Sequence, residues 1–527
     1  MKPPLIINGC TYHLPESPED VMQLVNQAKD AKQTISVRGS AHSMPLIPTN
    51  ETQKQYLFVM LAYMNNITDF NHDTGLVKVQ AGCHLGWDPN DPTGVSTVEN
   101  SLNYQLDPFD LKKGMRTQAP GWALPDLGGI SYQAVGGFLA TGSAGGATQF
   151  SLEDAIMSVD VIHHDGVSAK LTTFNRPADN NEDDPFWGVA YANLGLMGIV
   201  VSVTFQCIKA YNIYGTETTS TYDGGEVDFF GKGTDTKPSF QAFLEDKFYT
   251  RLFWYPQTTV QKMTLWKAWP VDASLDWQSF KSNIYKEFPF IFGTPKIAEW
   301  VVGKVFDFFG NWPNWVRKIV GNKYYTSHDL QDKFDDVNDV LLKLMLSVFE
   351  PINTAKKPPQ EFWDVWWNSL PMDNQVSDNL FSFYFTELWI PIEQTQKVMD
   401  DLKVFYNNAE DSGMFAAEIY ATKDNLFWLS PANKTKVVRV DILFYQNNSG
   451  KPEDYYQRFW TELAKYNYRP HWGKYLPPSS SPQGVAYLKE RYSDTWDKWM
   501  NLRTKMDPNN LFLTAYWNDH LFGVKQK

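Results

Sequence analysis

Val37-Arg38-Gly39-Ser40-Ala41-His42-Ser43 is the stretch on which the reading of this chain turns. It follows a segment with helical spacing and the short strand-forming run Ile35-Ser36-Val37. A Gly-Ser-Ala run keeps side chains small, so successive backbone N–H groups can close around a phosphate. His42 projects from the rim of that loop. Taken alone, a plain turn carrying one histidine accounts for it equally well. A second run, Gly136-Gly137-Phe138-Leu139-Ala140-Thr141-Gly142-Ser143-Ala144-Gly145-Gly146-Ala147, shifts the balance. Two glycine-rich loops roughly a hundred residues apart suit a long diphosphate cofactor held in an extended pose. The usual dinucleotide-binding βαβ unit is excluded, because no Gly-x-Gly-x-x-Gly opens a helix after the first strand.

Working outward, 527 residues exceed one ordinary core, so two domains are expected. The net charge of −13, from 47 basic and 60 acidic residues, argues against a nucleic-acid partner. Cys10, Cys83 and Cys207 are too few and too scattered for a disulfide framework or a metal site, so no metal is expected. The N-terminal residues show no long apolar run of a secretory signal, which makes the cytoplasm the default location and leaves a processed, secreted form open. Asn66-Ile67-Thr68 and Asn433-Lys434-Thr435 are glycosylation triplets of a kind that arises by chance. Aromatic residues reach 15%, and many fall after residue 250. They suit sugar stacking, flat-ring substrates or simply a large core.

Ser17 with Pro18 starts a helix whose apolar positions are Val21, Leu24, Val25 and Ala28. Leu76 to Gly82 reads as a strand ending in a glycine that permits close approach to a ligand. Ala155–Ile162 and Gly198–Phe205 read as buried strands. The pattern changes near residue 213, and Asp223-Gly224-Gly225 with the stretch 231–237 reads as linker or surface loop. The expected division is 1–213 for the cofactor domain, 214–485 for a substrate-binding cap, and 486–527 for a segment returning to the first domain. In that last segment Tyr492, Trp496, Trp499, Met500 and Arg503 are placed on one helix. The apolar region 288–309 is broken by Pro295 and carries Lys296, Glu299, Lys304 and Asp307, so it does not span a membrane. A lid, an apolar substrate wall, a membrane-surface contact and a domain core all remain open for it.

The two glycine runs resemble those of the vanillyl-alcohol-oxidase superfamily of flavoproteins. Ala192-Asn193-Leu194-Gly195-Leu196-Met197-Gly198-Ile199-Val200 is similar to the turn and strand that close the FAD domain of that family. His471-Trp472-Gly473-Lys474 and Asp507-Pro508 with Phe512 resemble the C-terminal part of the sugar-lactone and polyol oxidases. Phe253-Trp254-Tyr255-Pro256 and Leu265-Trp266-Lys267 show a weaker similarity to the flavin-linked sterol oxidases. The resemblance implies an α+β, two-domain, PCMH-type FAD-binding fold with an α+β substrate domain. It implies FAD held by Arg38, Gly39, Ser40, Ala41, His42, Ser43, Gly82, Gly136, Gly137, Thr141, Gly142, Ser143, Gly145, Gly146, Ile199 and Lys474, and bonded covalently through His42. It also implies an oxidase that dehydrogenates a CH–OH group of a small-molecule alcohol and reduces O2 to hydrogen peroxide. A dehydrogenase using a quinone or protein acceptor, and a flavoprotein with altered chemistry, stay as alternatives.

Alcohol oxidation by a flavin needs a carbinol carbon facing the ring, an acceptor for the hydroxyl proton, and a donor for the reduced flavin anion. Glu418-Ile419-Tyr420 stands where polyol and lactone oxidases carry Glu-x-Arg. Tyr420 offers one donor and no fixed charge in place of a guanidinium. Arg439 is the residue expected to compensate. On the run Val437-Val438-Arg439-Val440-Asp441-Ile442-Leu443-Phe444, period two puts Arg439 and Asp441 on one face, as a pocket-facing ion pair, and aliphatics on the other. Asp441 is the expected base, and Lys474 the donor to a substrate oxygen or the reduced flavin. Ala144 stands where relatives carry histidine. The segment Pro125 to Ser131 lacks the cysteine of doubly attached relatives, which leaves Cys83 as a poorly placed second link. The substrate is a sugar lactone or polyol, or a bulkier apolar alcohol such as a sterol; the oligomeric state is not legible.

Overall fold

Ser17 caps the first helix, its Oγ accepting from the Asp20 backbone N–H at 3.2 Å. Pro18 occupies the first turn, and Val21, Leu24, Val25 and Ala28 are buried along Pro18–Ala31. Lys32 then turns left-handed and feeds the strand Thr34–Arg38, which leads directly into the His42 loop. The computed structural model describes residues 1–43, 55–257, 260–273, 284–287, 289, 346–347, 350–374, 383–408, 414–445 and 451–525. Apart from Pro289, the apolar stretch 288–309 lies outside the described residues.

Two sheets form the N-terminal part. The first orders Lys2–Ile7, Cys10–Leu14, Tyr56–Met60 and Thr34–Arg38, with the last pair parallel. The second is antiparallel and orders Ala169–Asn175, Ile156–His164, Ile199–Gln206, Leu76–Gln80 and Ile67–Asn71. Val25, Val79, Phe138 and Val203 share one hydrophobic cluster with Trp496, Trp499, Phe512 and Trp517, so the C-terminal segment packs onto these sheets. The Ile35 N–H donates to the Leu511 carbonyl at 2.6 Å. Trp496, Trp499, Met500 and Arg503 lie on the helix Trp496–Met506, but Tyr492 ends the preceding helix Val485–Arg491, against the single helix expected.

An eight-stranded sheet forms the other half. Its order is Gln360–Val365, Tyr211–Thr221, Lys262–Asp272, Tyr249–Tyr255, Met414–Thr422, Val437–Tyr445, Phe383–Pro391 and Arg469–Pro470. Strand alternation divides its side chains. Leu252, Trp254, Ile419, Val438, Val440 and Ile442 face the helices Phe240–Asp246, Thr395–Asn408 and Pro452–Leu463 in a second core. Arg251, Phe253, Glu418, Tyr420, Arg439 and Asp441 line a chamber on the opposite face. Among the described residues, no helix is long and apolar enough to cross a membrane.

The run 136–147 is not one loop. Val135–Ala140 is helical, and only the following residues turn. Glycine persists within this helix because of packing: a Cβ on Gly136 would lie 3.1 Å from the Ala81 Cβ.

Candidate active site

Two cavities meet between these halves. The first is a groove between the residue 35–43 loop, Ala81-Gly82, the helix Val135–Ala140 and the turn 193–200. Phe512, Thr514, Tyr516 and Trp517 close its far side. Small residues such as Gly39, Ser40, Ala81, Gly136 and Gly137 share its lining with Tyr12, Tyr56 and Met60. Ala41 is left-handed at φ 61°, a conformation that costs a non-glycine residue energy. Ser40 fixes the loop by accepting from the Ala134 N–H at 3.1 Å. A Cβ on Gly137 would meet nothing within 4 Å, so this glycine faces open groove. Ile199 lines the same wall.

Arg38, whose Nε is buried without a hydrogen-bond partner, lines this groove, and no described carboxylate does. In a chain of net charge −13, a carboxylate-free groove carrying a guanidinium is suited to a diphosphate. The residues therefore fit FAD: Arg38 to Ser43, Gly82, Gly136, Gly137, Thr141 and Ile199 are the ones that would hold it.

Five expected contacts separate from that group, among them Ser143, which lines the chamber and not the groove. Gly142, Gly145 and Gly146 do not line the groove. Added Cβ atoms there would fall 3.2 Å from the Ala192 Cβ, 2.3 Å from the Asp126 carboxyl and 2.5 Å from the Thr250 carbonyl. Packing beneath the turn demands Gly145 and Gly146, while Gly142 is required by its left-handed backbone at φ 70°. Lys474 lies in the chamber, not the groove. Gly82 does line the groove, yet its Cβ would sit 1.9 Å from the Leu61 carbonyl, so the main chain requires glycine there irrespective of ligand. Cys83 is wholly buried and its thiol donates to the His84 and Asn100 carbonyls. Burial pushes that thiol up to about 12, which removes it as a second attachment point.

His42, Ser43, Gln133 and Thr141 line both cavities and mark their junction. The His42 ring lies 4.5 Å from that of Tyr132. Beyond the junction, the chamber wall is written in strand register. Glu387 stands opposite Asp441, Asp441 opposite Glu418, and Glu418 opposite Phe253, giving a row led by three carboxylates. One step toward the glycine turn is the row Trp389, Arg439 and Tyr420. One step the other way is the row Phe385, Leu443 and Ala416.

The expected Arg439–Asp441 pair does not form. The Arg439 Nε donates to Glu387 at 2.5 Å, and its Nη1 donates to the Ala144 and Gly145 carbonyls at 2.9 and 2.8 Å. Its guanidinium is sandwiched between the Trp389 and Tyr420 rings, at 4.6 and 4.8 Å from their centres. Arg439 thus clamps the glycine turn to the sheet. Asp441 instead pairs with Lys474, which also reaches Glu387 at 2.7 Å. The reason is that Glu387, on a neighbouring strand, offers Arg439 a second carboxylate while Lys474 takes Asp441.

Glu387 and Arg251 are the members sequence reasoning missed. Each left a signal: a lone charge in the apolar runs Phe383–Pro391 and Tyr249–Tyr255. Arg251 pairs with Asp373 at 2.5 Å, Glu217 at 3.4 Å and Glu418 at 3.5 Å. It lies on the strand next to Tyr420, so a guanidinium is present near Glu418 although the Glu-x-Arg position carries tyrosine.

The charges grade along the carboxylate row. Burial favours a protonated Glu387, yet the Arg439 guanidinium and the Lys474 ammonium hold it below the usual range. Burial pushes Asp441 up to about 7 against the pull of Lys474. Burial and the Asp373 charge push Glu418 well above the ordinary glutamate value, against Arg251. His471 is driven by burial down to about 3 and is neutral. A carboxyl held low, one raised to about 7 and one raised well above its ordinary value therefore stand side by side. The Asp441 Oδ1 accepts no hydrogen bond from the chain.

A phosphate-compatible groove joined at His42 and Thr141 to an acid–base chamber defines an FAD-linked oxidoreductase of the PCMH type, acting on CH–OH donors. A family model described as D-arabinono-1,4-lactone oxidase matches residues 203–520, and one for the FAD binding domain matches 11–86. The chain belongs to the D-arabinono-1,4-lactone oxidase family. It is similar to L-gulonolactone oxidase of Scyliorhinus torazame, 21% identical over 97% of this chain and 95% of that protein. A putative D-arabinono-1,4-lactone oxidase of Neurospora crassa is 21% identical over 98% of this chain and 84% of that one. Among solved structures, a variant of cholesterol oxidase from Brevibacterium sterolicum superposes with a TM-score of 0.67 at 15% identity, covering 97% of this chain and 94% of that one. A glucooligosaccharide oxidase from Acremonium strictum, whose structure is described as revealing a flavinylation, superposes at 0.55 with 13% identity, covering 95% and 89%. These structural likenesses establish the fold.

Proposed function

We propose that this chain oxidises the CH–OH carbon of a sugar lactone or polyol to a carbonyl, with O2 as final acceptor and hydrogen peroxide as second product. The observation that carries the reading is the row Glu387–Asp441–Glu418, which opens on the cavity that also holds His42 and Thr141. FAD, held by Arg38 to Ser43 and the other groove residues, would supply the two-electron acceptor for the hydride. The chain's own residues supply the rest. Asp441 accepts the hydroxyl proton at Oδ1, and a carboxyl raised to about 7 is matched to that task near neutral pH. Glu418 and Tyr420 bind neighbouring hydroxyls. Lys474, held above its usual range by Asp441 and Glu387 against the effect of burial, donates to a substrate oxygen. Arg439 keeps the Ala144-Gly145 turn in place.

The chamber's charged rows favour a polyhydroxy head group over a sterol hydroxyl, and the names of the lactone oxidase relatives point the same way. The test is anaerobic addition of L-gulono-1,4-lactone, D-arabinono-1,4-lactone, alditols and cholesterol to the purified holoprotein. Bleaching of the flavin by a lactone or alditol is expected; no bleaching by any of them sinks the reading. Peroxide formed in step with product separates an oxidase from a dehydrogenase.

His42 at the junction supports a covalent bond to FAD. Acid precipitation should carry the flavin into the pellet of the wild type and leave it in the supernatant of His42→Ala. Release from both proteins removes the covalent link.

A further inference from the structure

The carboxyls of the chamber differ in how far they are open. The side chains of Glu387, Asp441 and Glu418 are 0, 2 and 8% exposed, whereas that of Asp373 is 28% exposed. Asp373 follows the short helix Trp366–Ser369 and is fixed by its surroundings. Its backbone N–H donates to the Gly129 carbonyl at 2.8 Å. The next residue, Asn374, accepts from the Ser131 N–H at 2.8 Å and donates to the Ser131 Oγ at 2.7 Å. The Asp373 Oδ1 accepts from the Arg251 Nη1 at 2.5 Å. Among the described residues, no hydrogen bond reaches its Oδ2. A Cβ on Gly129 would lie 2.7 Å from that Oδ2 and 3.0 Å from the Tyr420 hydroxyl, so glycine lets both close in on the cofactor-side loop. Arg251, which holds Asp373, stands two strands from Asp441, with the Glu418 strand between them. Two strand spacings amount to about 9–10 Å. A ligand that starts at Asp441 and passes Glu418 must therefore run across the strands to meet Asp373.

We propose that Asp373 is a specificity-determining residue: its Oδ2 accepts a hydrogen bond from a substrate hydroxyl remote from the reacting carbon, so that the chamber selects polyols and lactones of about five or six carbons over shorter ones. The inference rests on the CH–OH oxidation proposed above and deepens it by adding a site for the far end of the substrate. The near end has its own acceptors, because the buried Asp441 Oδ1 and Glu418 Oε1 accept no hydrogen bond from the chain. All three carboxyls line one cavity, which is what assigns them to one ligand. Arg251 and the Gly129–Ser131 backbone orient Asp373 beforehand, so little freedom is lost when a hydroxyl binds there.

The experiment uses the purified holoprotein and the series glycerol, erythritol, xylitol and D-glucitol. Binding is measured by isothermal titration calorimetry with the flavin chemically reduced, so that no turnover intervenes. Turnover is followed as flavin bleaching and steady-state kinetics of the oxidised protein. In the wild type, affinity should rise by at least about tenfold between glycerol and xylitol, the gain from a hydrogen bond to a charged group. Asp373→Asn keeps an acceptor for Arg251 and turns the open acceptor into a donor. Gly129→Ala displaces the Asp373 carboxyl and the Tyr420 hydroxyl without removing either. Both variants should lose most of the step for xylitol and D-glucitol, and the loss should fall on KM more than on kcat. The melting temperature and the flavin spectrum check that each variant is folded. A wild-type series without a step, or a step unchanged in both variants, overturns the Asp373 site. Equal losses for glycerol and D-glucitol show a structural role and overturn it as well. Bleaching by alditols without a step in affinity removes this site and keeps the oxidation. Absent bleaching by alditols and lactones, with a step that the variants lose, sinks the oxidation and keeps the site.

Discussion

The groove and the chamber meet at His42 and Thr141 but are built on opposite plans. The groove draws on glycine, alanine and serine from short contiguous stretches and is completed by larger rings such as Tyr12, Tyr56 and Trp517, with Arg38 as its guanidinium and no described carboxylate. The chamber is made mainly of long side chains on alternate positions of neighbouring strands, where Arg251, Arg439 and Lys474 face Asp373, Glu387, Glu418 and Asp441. The first is constrained by size, the second by pairing of charge. A substitution that adds volume should therefore damage the groove, and one that unpairs a charge should damage the chamber.

The largest expected effect lies in the chamber. Asp441→Asn should lower kcat by about 10²- to 10⁴-fold, the range for loss of a general base, while FAD content stays unchanged. In the wild type the group must be a carboxylate to accept a proton. Because its value is raised to about 7, kcat/KM should fall as pH drops through that region, and this limb should vanish in the variant. A pH profile of steady-state kinetics checks both. An unchanged acid limb would show that another group is the base.

Arg439→Met comes next. It strands the buried Glu387 with only Lys474 as partner and frees two carbonyls of the glycine turn. Loss of one partner from a buried pair costs about 3–5 kcal/mol, which a denaturant titration of the holoprotein reads directly. If stability is unchanged, the clamp is not structural.

Within the groove, two glycines should part company. Gly137→Ala projects into open groove, so cofactor affinity should fall by roughly tenfold, about 1.4 kcal/mol, when FAD reconstitution is followed in a His42→Ala background. The same change removes a helix glycine, so the apoprotein should melt no lower. Gly82→Ala collides with the Leu61 carbonyl and should fail to accumulate as folded protein. The smallest effect is Ser17→Ala, which removes the helix cap at a cost of about 1 kcal/mol and should leave both cavities untouched. A loss of FAD in that variant would break the separation between frame and site.

How much of this was legible follows from the same contrast. The His42 loop, the first helix and the FAD cofactor come from contiguous residues whose local chemistry is informative. The Arg439 and Asp441 face was legible too, because period two needs only one strand. Their pairings were not: Glu387 reaches Arg439 from the neighbouring strand, and Lys474 reaches Asp441 from the turn after Arg469–Pro470, and no local pattern predicts either. Glycine composition also misled at Gly142, Gly145 and Gly146. A glycine required by a carboxyl or a carbonyl beneath it, as at Gly145 and Gly146, or by a left-handed turn, as at Gly142, looks the same in sequence as one required by a phosphate above it.

The residues that close the groove carry a consequence for the order of events in synthesis. The His42 loop is made before Phe512, Thr514, Tyr516 and Trp517, on its far wall, with the whole eight-stranded sheet made in between. The Ile35–Leu511 hydrogen bond joins the same two ends. Domains otherwise tend to fold in the order in which they emerge. Here the cofactor's berth stays open until the segment Phe512 to Trp517 has emerged. Flavin capture is thus a closing act of maturation, and a chain truncated before residue 511 should emerge folded in part but colourless.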